Sequence, residues 1–231
     1  MSLVEFKNVN KSFDEKVILT DISFKIEPNK IIGLLGKNGM GKTTIIKLIN
    51  GLLTPTSGEI LINNEAPGVN SKKIISYLPE RLCLDRSMNV YQVINYYKDF
   101  YIDFNEEKAY KLLDDLNLSK NDNLSKMSKG MIEKLQLILV MSREADLYVL
   151  DEPLGGVDPA TRDYILDTIL SNFKNGASIL ISTHLIQDIE RILDEVIFVD
   201  KGQIILTGSC DELRNNSNES IDEIFRRMFR C

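Results

Sequence analysis

Gly36-Lys37-Asn38-Gly39-Met40-Gly41-Lys42-Thr43-Thr44 follows directly on Ile31-Ile32-Gly33-Leu34-Leu35. The earlier stretch is a short uninterrupted apolar run, the pattern of a strand buried on both faces. Thr43 to Gly51 then has helical periodicity and stops at a glycine. Between strand and helix, Gly36, Gly41, Lys42 and Thr43 meet the spacing G-x-x-x-x-G-K-[ST]. Such a loop curls tightly, which glycine permits, and turns its backbone N–H groups and the helix N-terminus toward phosphate oxygens. Lys42 is placed to reach the terminal phosphates and the Thr43 hydroxyl to ligate Mg²⁺, so the loop by itself predicts binding of ATP with Mg²⁺.

The flanks predict a layered α/β fold. On the N-terminal side, Val4 to Phe13 and Val17 to Ile26 alternate apolar and polar residues, as paired strands do. A turn at Pro55-Thr56-Ser57-Gly58 leads to predicted strands over Glu59 to Asn63 and Lys73 to Leu78. From about Arg81 to Glu144 the pattern is helical, with amphipathic segments at Val90 to Phe100, Glu106 to Leu116 and Met131 to Ser142. Strands are then expected at Leu147 to Leu150, Ser178 to Ser182, Glu195 to Val199 and Gln203 to Leu206. Helices are expected at Ala160 to Phe173 and Leu185 to Ile192. That alternation implies a mainly parallel sheet wrapped by helices. Asn215 to Ser220 looks like a polar linker ahead of a short amphipathic tail.

Leu147-Tyr148-Val149-Leu150 ends in Asp151-Glu152. Asp151, at a strand end beside the loop, can hold Mg²⁺, and Glu152 supplies a second acid able to polarise an attacking water. Neighbouring strand residues point to opposite sides, so the two carboxylates are expected to straddle the strand end. His184, the one histidine of the chain, follows another strand end at Ser182-Thr183. A lone histidine is commonly structural, but this one falls on the ligand-binding side of such sheets. It is therefore expected to touch the γ-phosphate and position water and Glu152.

Bulk properties narrow the classes. With 28 basic and 34 acidic residues and pI near 5.0, the chain lacks the basic excess of a broad nucleic-acid surface, and no nucleic-acid partner is expected. Cys83, Cys210 and Cys231 have neither disulfide nor zinc-ligand spacing, which fits a reducing compartment. No basic, apolar, small-residue stretch opens the sequence, so export of this chain is not expected, and its apolar runs are too short to span a bilayer. Any membrane role is expected to pass through a partner.

Taken in order, these motifs resemble the nucleotide-binding subunit of an ATP-binding cassette (ABC) transporter, over nearly all of residues 1–231. The resemblance implies a P-loop NTPase with a mainly parallel core sheet, an N-terminal antiparallel β subdomain and an inserted helical subdomain at about 81–144, ending in a helical tail at about 219–231. It identifies Gly36 to Thr44 with Walker A, Asp151 with Walker B, Glu152 with the catalytic glutamate and His184 with the switch histidine. Phe13 falls where an aromatic stacks on adenine, though it also reads as a core aromatic. Gly155-Gly156-Val157-Asp158 matches the D-loop, which places Asp158 beside nucleotide.

Two stretches depart from the family pattern. Met127-Ser128-Lys129-Gly130-Met131 stands where Leu-Ser-Gly-Gly-Gln is usual. Ser128, Lys129 and Gly130 would then grip the γ-phosphate of a nucleotide held by a second ATPase subunit, although Ser128 also reads as a plain helix cap. In Tyr77-Leu78-Pro79-Glu80 the family places glutamine at position 80, so Glu80 would meet Mg²⁺ as a charged ligand. Both variants resemble ATPases of ABC-2-type exporters. The implied protein is an ATP-hydrolysing motor that closes head-to-tail on two ATP·Mg²⁺ and drives a separate permease at the inner face of the membrane. A DNA-maintenance ATPase would need a long coiled coil where roughly 80 residues without sustained heptads stand. A translation-associated ATPase usually carries two cassettes. A non-hydrolysing regulator is at odds with Lys42, Asp151, Glu152 and His184 all in place.

Overall fold

The computed structural model describes residues 2–80, 84–155 and 159–229. Strands β1 (Val4–Phe13) and β2 (Lys16–Ile26) pair antiparallel. The chain then makes β3 (Ile31–Leu35), the phosphate loop and α1 (Lys42–Ile49), and returns to β1 as β4 (Ser57–Ile62). The order β2-β1-β4 makes a small antiparallel sheet.

Next come α2 (Val69–Ile74), β5 (Ile75–Leu78), α3 (Val90–Phe100), α4 (Glu106–Asp115), α5 (Lys129–Met141) and β6 (Leu147–Asp151). The chain finishes with α6 (Pro159–Asn172), β7 (Ser178–Thr183), α7 (Ile186–Ile189), β8 (Glu195–Asp200), β9 (Gln203–Ser209), α8 (Cys210–Ser217) and α9 (Ile221–Met228). The central sheet runs β5-β6-β7-β3-β8-β9, parallel throughout except for the antiparallel edge strand β9.

The apolar strands of the central sheet divide their side chains between two cores. Leu147 and Val149 of β6 join β1, β2, β4 and α1 on one face, while Tyr148 and Leu150 join α3, α5, α6 and α9 on the other. Because β5, β6, β7 and β3 are parallel neighbours, their C-terminal ends lie along one sheet edge. That edge carries Pro79-Glu80, Asp151-Glu152, His184 and the glycine loop, the position where such sheets bind ligands.

Buried Arg143, just past α5, ties the helical insertion to the sheet. Its Nε donates to both carboxylate oxygens of Asp103 at 3.1 Å, its guanidinium stacks 3.9 Å over the Tyr101 ring, and Nη1 and Nη2 donate to Ile75 O at 2.6 Å and Lys73 O at 2.9 Å.

Three elements differ from the sequence reading. The strand expected from Lys73 begins at Ile75, because α2 runs to Ile74 behind a Gly68–Ser71 cap. The helix expected over Leu185 to Ile192 is the four-residue α7. The linker-like stretch from Asn215 is helical to Ser217, in a helix held by buried Cys210 and by Arg214 Nη2 donating to Glu190 O at 2.7 Å. Tertiary contacts outweigh the low helix propensity of its asparagines and serines.

Candidate active site

The glycine loop is shaped by two contacts that exclude a side chain. A Cβ on Gly36 would fall 2.4 Å from Val199 O, and Gly41 caps α1 at φ 108 with Leu19 2.7 Å from where a Cβ would stand. Lys42 opens α1 and is buried at 5% exposure. Its Nζ donates to Gly36 O at 2.7 Å and Lys37 O at 3.3 Å and lies 3.2 Å from Glu152 Oε1. That last contact is an ion pair without hydrogen-bond geometry.

Asp151 closes β6 at 1% exposure. Its Oδ1 accepts from Ser182 Oγ at 2.6 Å and, at the outer limit of a hydrogen bond, from Thr43 Oγ1 at 3.4 Å. Its Oδ2 is buried and has no hydrogen-bond partner among the described residues. Burial pushes the Asp151 carboxyl above the usual carboxylate range; hydrogen bonds from Ser182 and Thr43 oppose this, and the charges of Glu80 and Glu152 add to it.

Glu152 does not continue the strand. It takes the left-handed conformation at φ 51 and is fixed by two bonds from its N–H, to Ser182 O at 3.1 Å and Ser182 Oγ at 3.0 Å. This twist brings Asp151 and Glu152 into one cavity, where strand alternation predicted opposite sides. Glu152 Oε2 lies 3.0 Å from His184 Nδ1. One carboxylate is thus held between the loop lysine and the histidine.

The cavity has a volume of about 690 Å³. Of the residues singled out from sequence, Asn38, Gly39, Gly41, Lys42, Thr43, Thr44, Glu80, Lys129, Asp151, Glu152 and His184 line it. Others stand apart from the lining. Gly36 is packed under Val199, and Met40 accepts at Sδ from Lys201 N at 3.2 Å. The Lys37 side chain turns to the C-terminal tail, donating to Phe229 O at 2.8 Å. Phe13, the residue expected to stack on adenine, sits at the β1–β2 hairpin tip with Lys11 Nζ 4.8 Å from its ring centroid, and Ile18 of β2 lines the cavity. Ser128 caps α5, accepting from Met131 N at 3.3 Å, and Gly130 faces open space. Asp158 lies outside the described residues.

Sequence reading also missed three residues. Ser182 braces both acids, and its signal was its place beside Thr183-His184 at the end of a predicted strand; in the sheet it pairs directly with Asp151. Glu133 and Gln136 follow Lys129 along α5 and line the cavity. Spacing alone gave no reason to single them out.

Loop, buried lysine and paired acids at the ends of parallel strands define a P-loop nucleoside triphosphatase. Comparison with known proteins carries the assignment further. The family model described as ABC transporter matches residues 19–155. ABC-type transporter ATP-binding protein EcsA of Bacillus subtilis is 30% identical over 99% of this chain and 97% of its own length. Lipopolysaccharide export system ATP-binding protein LptB of Haemophilus influenzae is likewise 30% identical over 99% and 97%. A solved ATP-binding subunit of an ABC transporter superposes with TM-score 0.88 at 27% identity, covering 99% of this chain and 100% of that one. The chain belongs to the ABC transporter family, as its nucleotide-binding subunit, an ATPase that powers transport.

Proposed function

We propose that this subunit works in an exporter, pairing with a second ATPase subunit and a separate membrane permease at the inner face of the membrane. The relatives that support export are named for it: lipopolysaccharide export for LptB and Nod factor export for a protein of Rhizobium etli that is 28% identical. Among the described residues no helix is long and apolar enough to cross a membrane.

Mg²⁺ fits the residues present. Among the described residues the buried Asp151 Oδ2 lacks a partner and the Thr43 hydroxyl is beside the same carboxylate, so Thr43 and Asp151 would hold the ion, with Glu80 near enough to raise the Asp151 pKa by its charge. When bound, the ion would neutralise charge on the phosphates.

Lys42 binds the terminal phosphates and the loop N–H groups orient them. Glu152 accepts the proton of the attacking water, and His184 holds the Glu152 carboxylate in place. Ile18, at the cavity wall, supplies apolar contact for the base. Ser128, Lys129 and Gly130 meet the nucleotide of the second subunit, with Asp158 at the same junction.

The observation that carries this reading is the Glu152 carboxylate, twisted out of its strand and held 3.2 Å from Lys42 and 3.0 Å from His184. Glu152→Gln should retain ATP binding, lose activity by roughly 10²-fold or more, and accumulate an ATP-bound dimer. Turnover near the wild-type rate, measured with the membrane partner present, would remove Glu152 from the chemistry.

A further inference from the structure

The C-terminal helix pair touches both arms of the active site. Helix α9 begins in a reciprocal cap between Ser220 and Glu223 and lays Ile221, Ile224, Phe225 and Phe229 on the sheet. Phe225 and Phe229 stack at 4.1 Å and pack against Phe198 of β8, at 5.6 and 6.3 Å. β8 is the direct neighbour of β3, the strand that delivers the phosphate loop. This apolar seat makes the tail a fixed part of the molecule.

Polar contacts then run outward from each end. At its C-terminal end the Phe229 carbonyl accepts from Lys37 Nζ, a side chain of the phosphate loop, at 2.8 Å. A cation there is also favoured by the partial negative charge of a helix C-terminus. At its N-terminal end Asp222 N donates to Glu190 Oε2 at 3.0 Å and Asp222 Oδ2 accepts from Gln187 Nε2 at 3.0 Å. Arg214 of α8 adds a bond to Glu190 O. Gln187 lies in α7 and Glu190 caps it, and α7 starts two residues beyond His184. One short rigid body therefore bridges the loop that holds phosphate and the segment that carries the switch histidine.

We propose that α8–α9 is a strap that sets the phosphate loop and the His184 segment relative to each other, with Lys37 as a positioning residue rather than a direct phosphate ligand. The inference rests on the ATPase reading for its kinetic consequences. Coupling through such a body needs contiguous contacts, and these are continuous from Lys37 through Phe229, Phe225 and Asp222 to α7. A strap of this kind makes the effects of its two anchors cross over. Loosening the loop end should disturb the histidine, and loosening the histidine end should disturb the loop.

The test uses the full chain with Lys37→Ala at one end and the pair Gln187→Ala/Glu190→Ala at the other. In hydrogen–deuterium exchange without nucleotide, Lys37→Ala should accelerate α7 amides about threefold, and the α7 variant should accelerate residues 36–41 to a similar degree, in keeping with part-exposed polar contacts. Helix α3, remote from the strap, reports on global folding and should be unchanged. In ATPase kinetics Lys37→Ala should lower kcat as well as raise KM, and the α7 variant should raise KM as well as lower kcat. Lys37→Arg, which keeps a cation for the carbonyl, should restore both. Effects confined to the mutated end, in exchange and in kinetics, would overturn the strap while leaving the ATPase reading intact. Crossed exchange in a protein without ATPase activity would retain the strap and remove the hydrolytic reading.

Discussion

Glu152 is where function and local stability part. A non-glycine residue at φ 51 is strained by its Cβ, and here three neighbours fix it: Ser182 through the backbone, Lys42 and His184 through the carboxylate. Replacing Glu152 by alanine or by glycine removes the carboxylate equally, but only glycine relieves the strain. Glu152→Gly should therefore be more stable than Glu152→Ala by about 1 kcal/mol, with both inactive. Urea denaturation of the two variants decides this, and equal midpoints would mean the strain is absent. The acid's identity was legible in Leu147-Tyr148-Val149-Leu150-Asp151-Glu152, because an apolar strand ending in carboxylates is a local pattern. Its twisted backbone was not, because it arises from Ser182, 30 residues further on. For the same reason Lys37 read as part of the phosphate cradle, while its side chain is drawn away by a helix that ends at Met228.

At the scale of elements, the buried strands and the long amphipathic helices were legible because each carries its own periodicity. Asn89 with Gln92 and Ser220 with Glu223 even mark two helix starts by reciprocal caps. α7 and α8 were misjudged, since a four-residue helix and a mostly polar one carry too little apolar periodicity to show what packs on them. Arg143 was equally silent, yet it joins three elements. It reaches Asp103 and Tyr101 beyond α3, and the carbonyls of α2 and β5, from a position at 3% exposure. Lysine cannot reproduce a planar fork that is stacked and bonded on several sides. Arg143→Lys should cost about 3 kcal/mol, within the range for breaking a buried ion pair, and should loosen α2 and β5 in hydrogen exchange. A loss below about 1 kcal/mol would assign the anchoring of the insertion to the apolar core alone.

For the whole molecule, the open question is which nucleotide the altered signature serves. Lys129 lines the same cavity as Lys42, so one chain alone could use both lysines on one ATP. Yet Lys129 is 79% exposed and paired only loosely with Glu133 at 3.5 Å, and Gly130 beside it faces open space. Such a surface is better placed to meet a second copy than to close on its own loop. The alternatives separate by complementation in a Glu152→Gln background, where the ATP-bound dimer is expected to persist. Lys42→Ala removes the loop's hold on phosphate, and Lys129→Glu sets a negative charge against it, so each variant alone should stay monomeric with ATP. If Lys129 acts on the partner's nucleotide, mixing the two variants assembles one composite site from the intact Lys42 of one chain and the intact Lys129 of the other. The mixture should then form dimers, weaker than the parent and more so at high salt, since a surface charge contact is screened. If Lys129 acts within its own chain, the mixture contains no intact site and remains monomeric. Sedimentation of the mixed and separate variants therefore distinguishes half a site in each chain from a whole site in one.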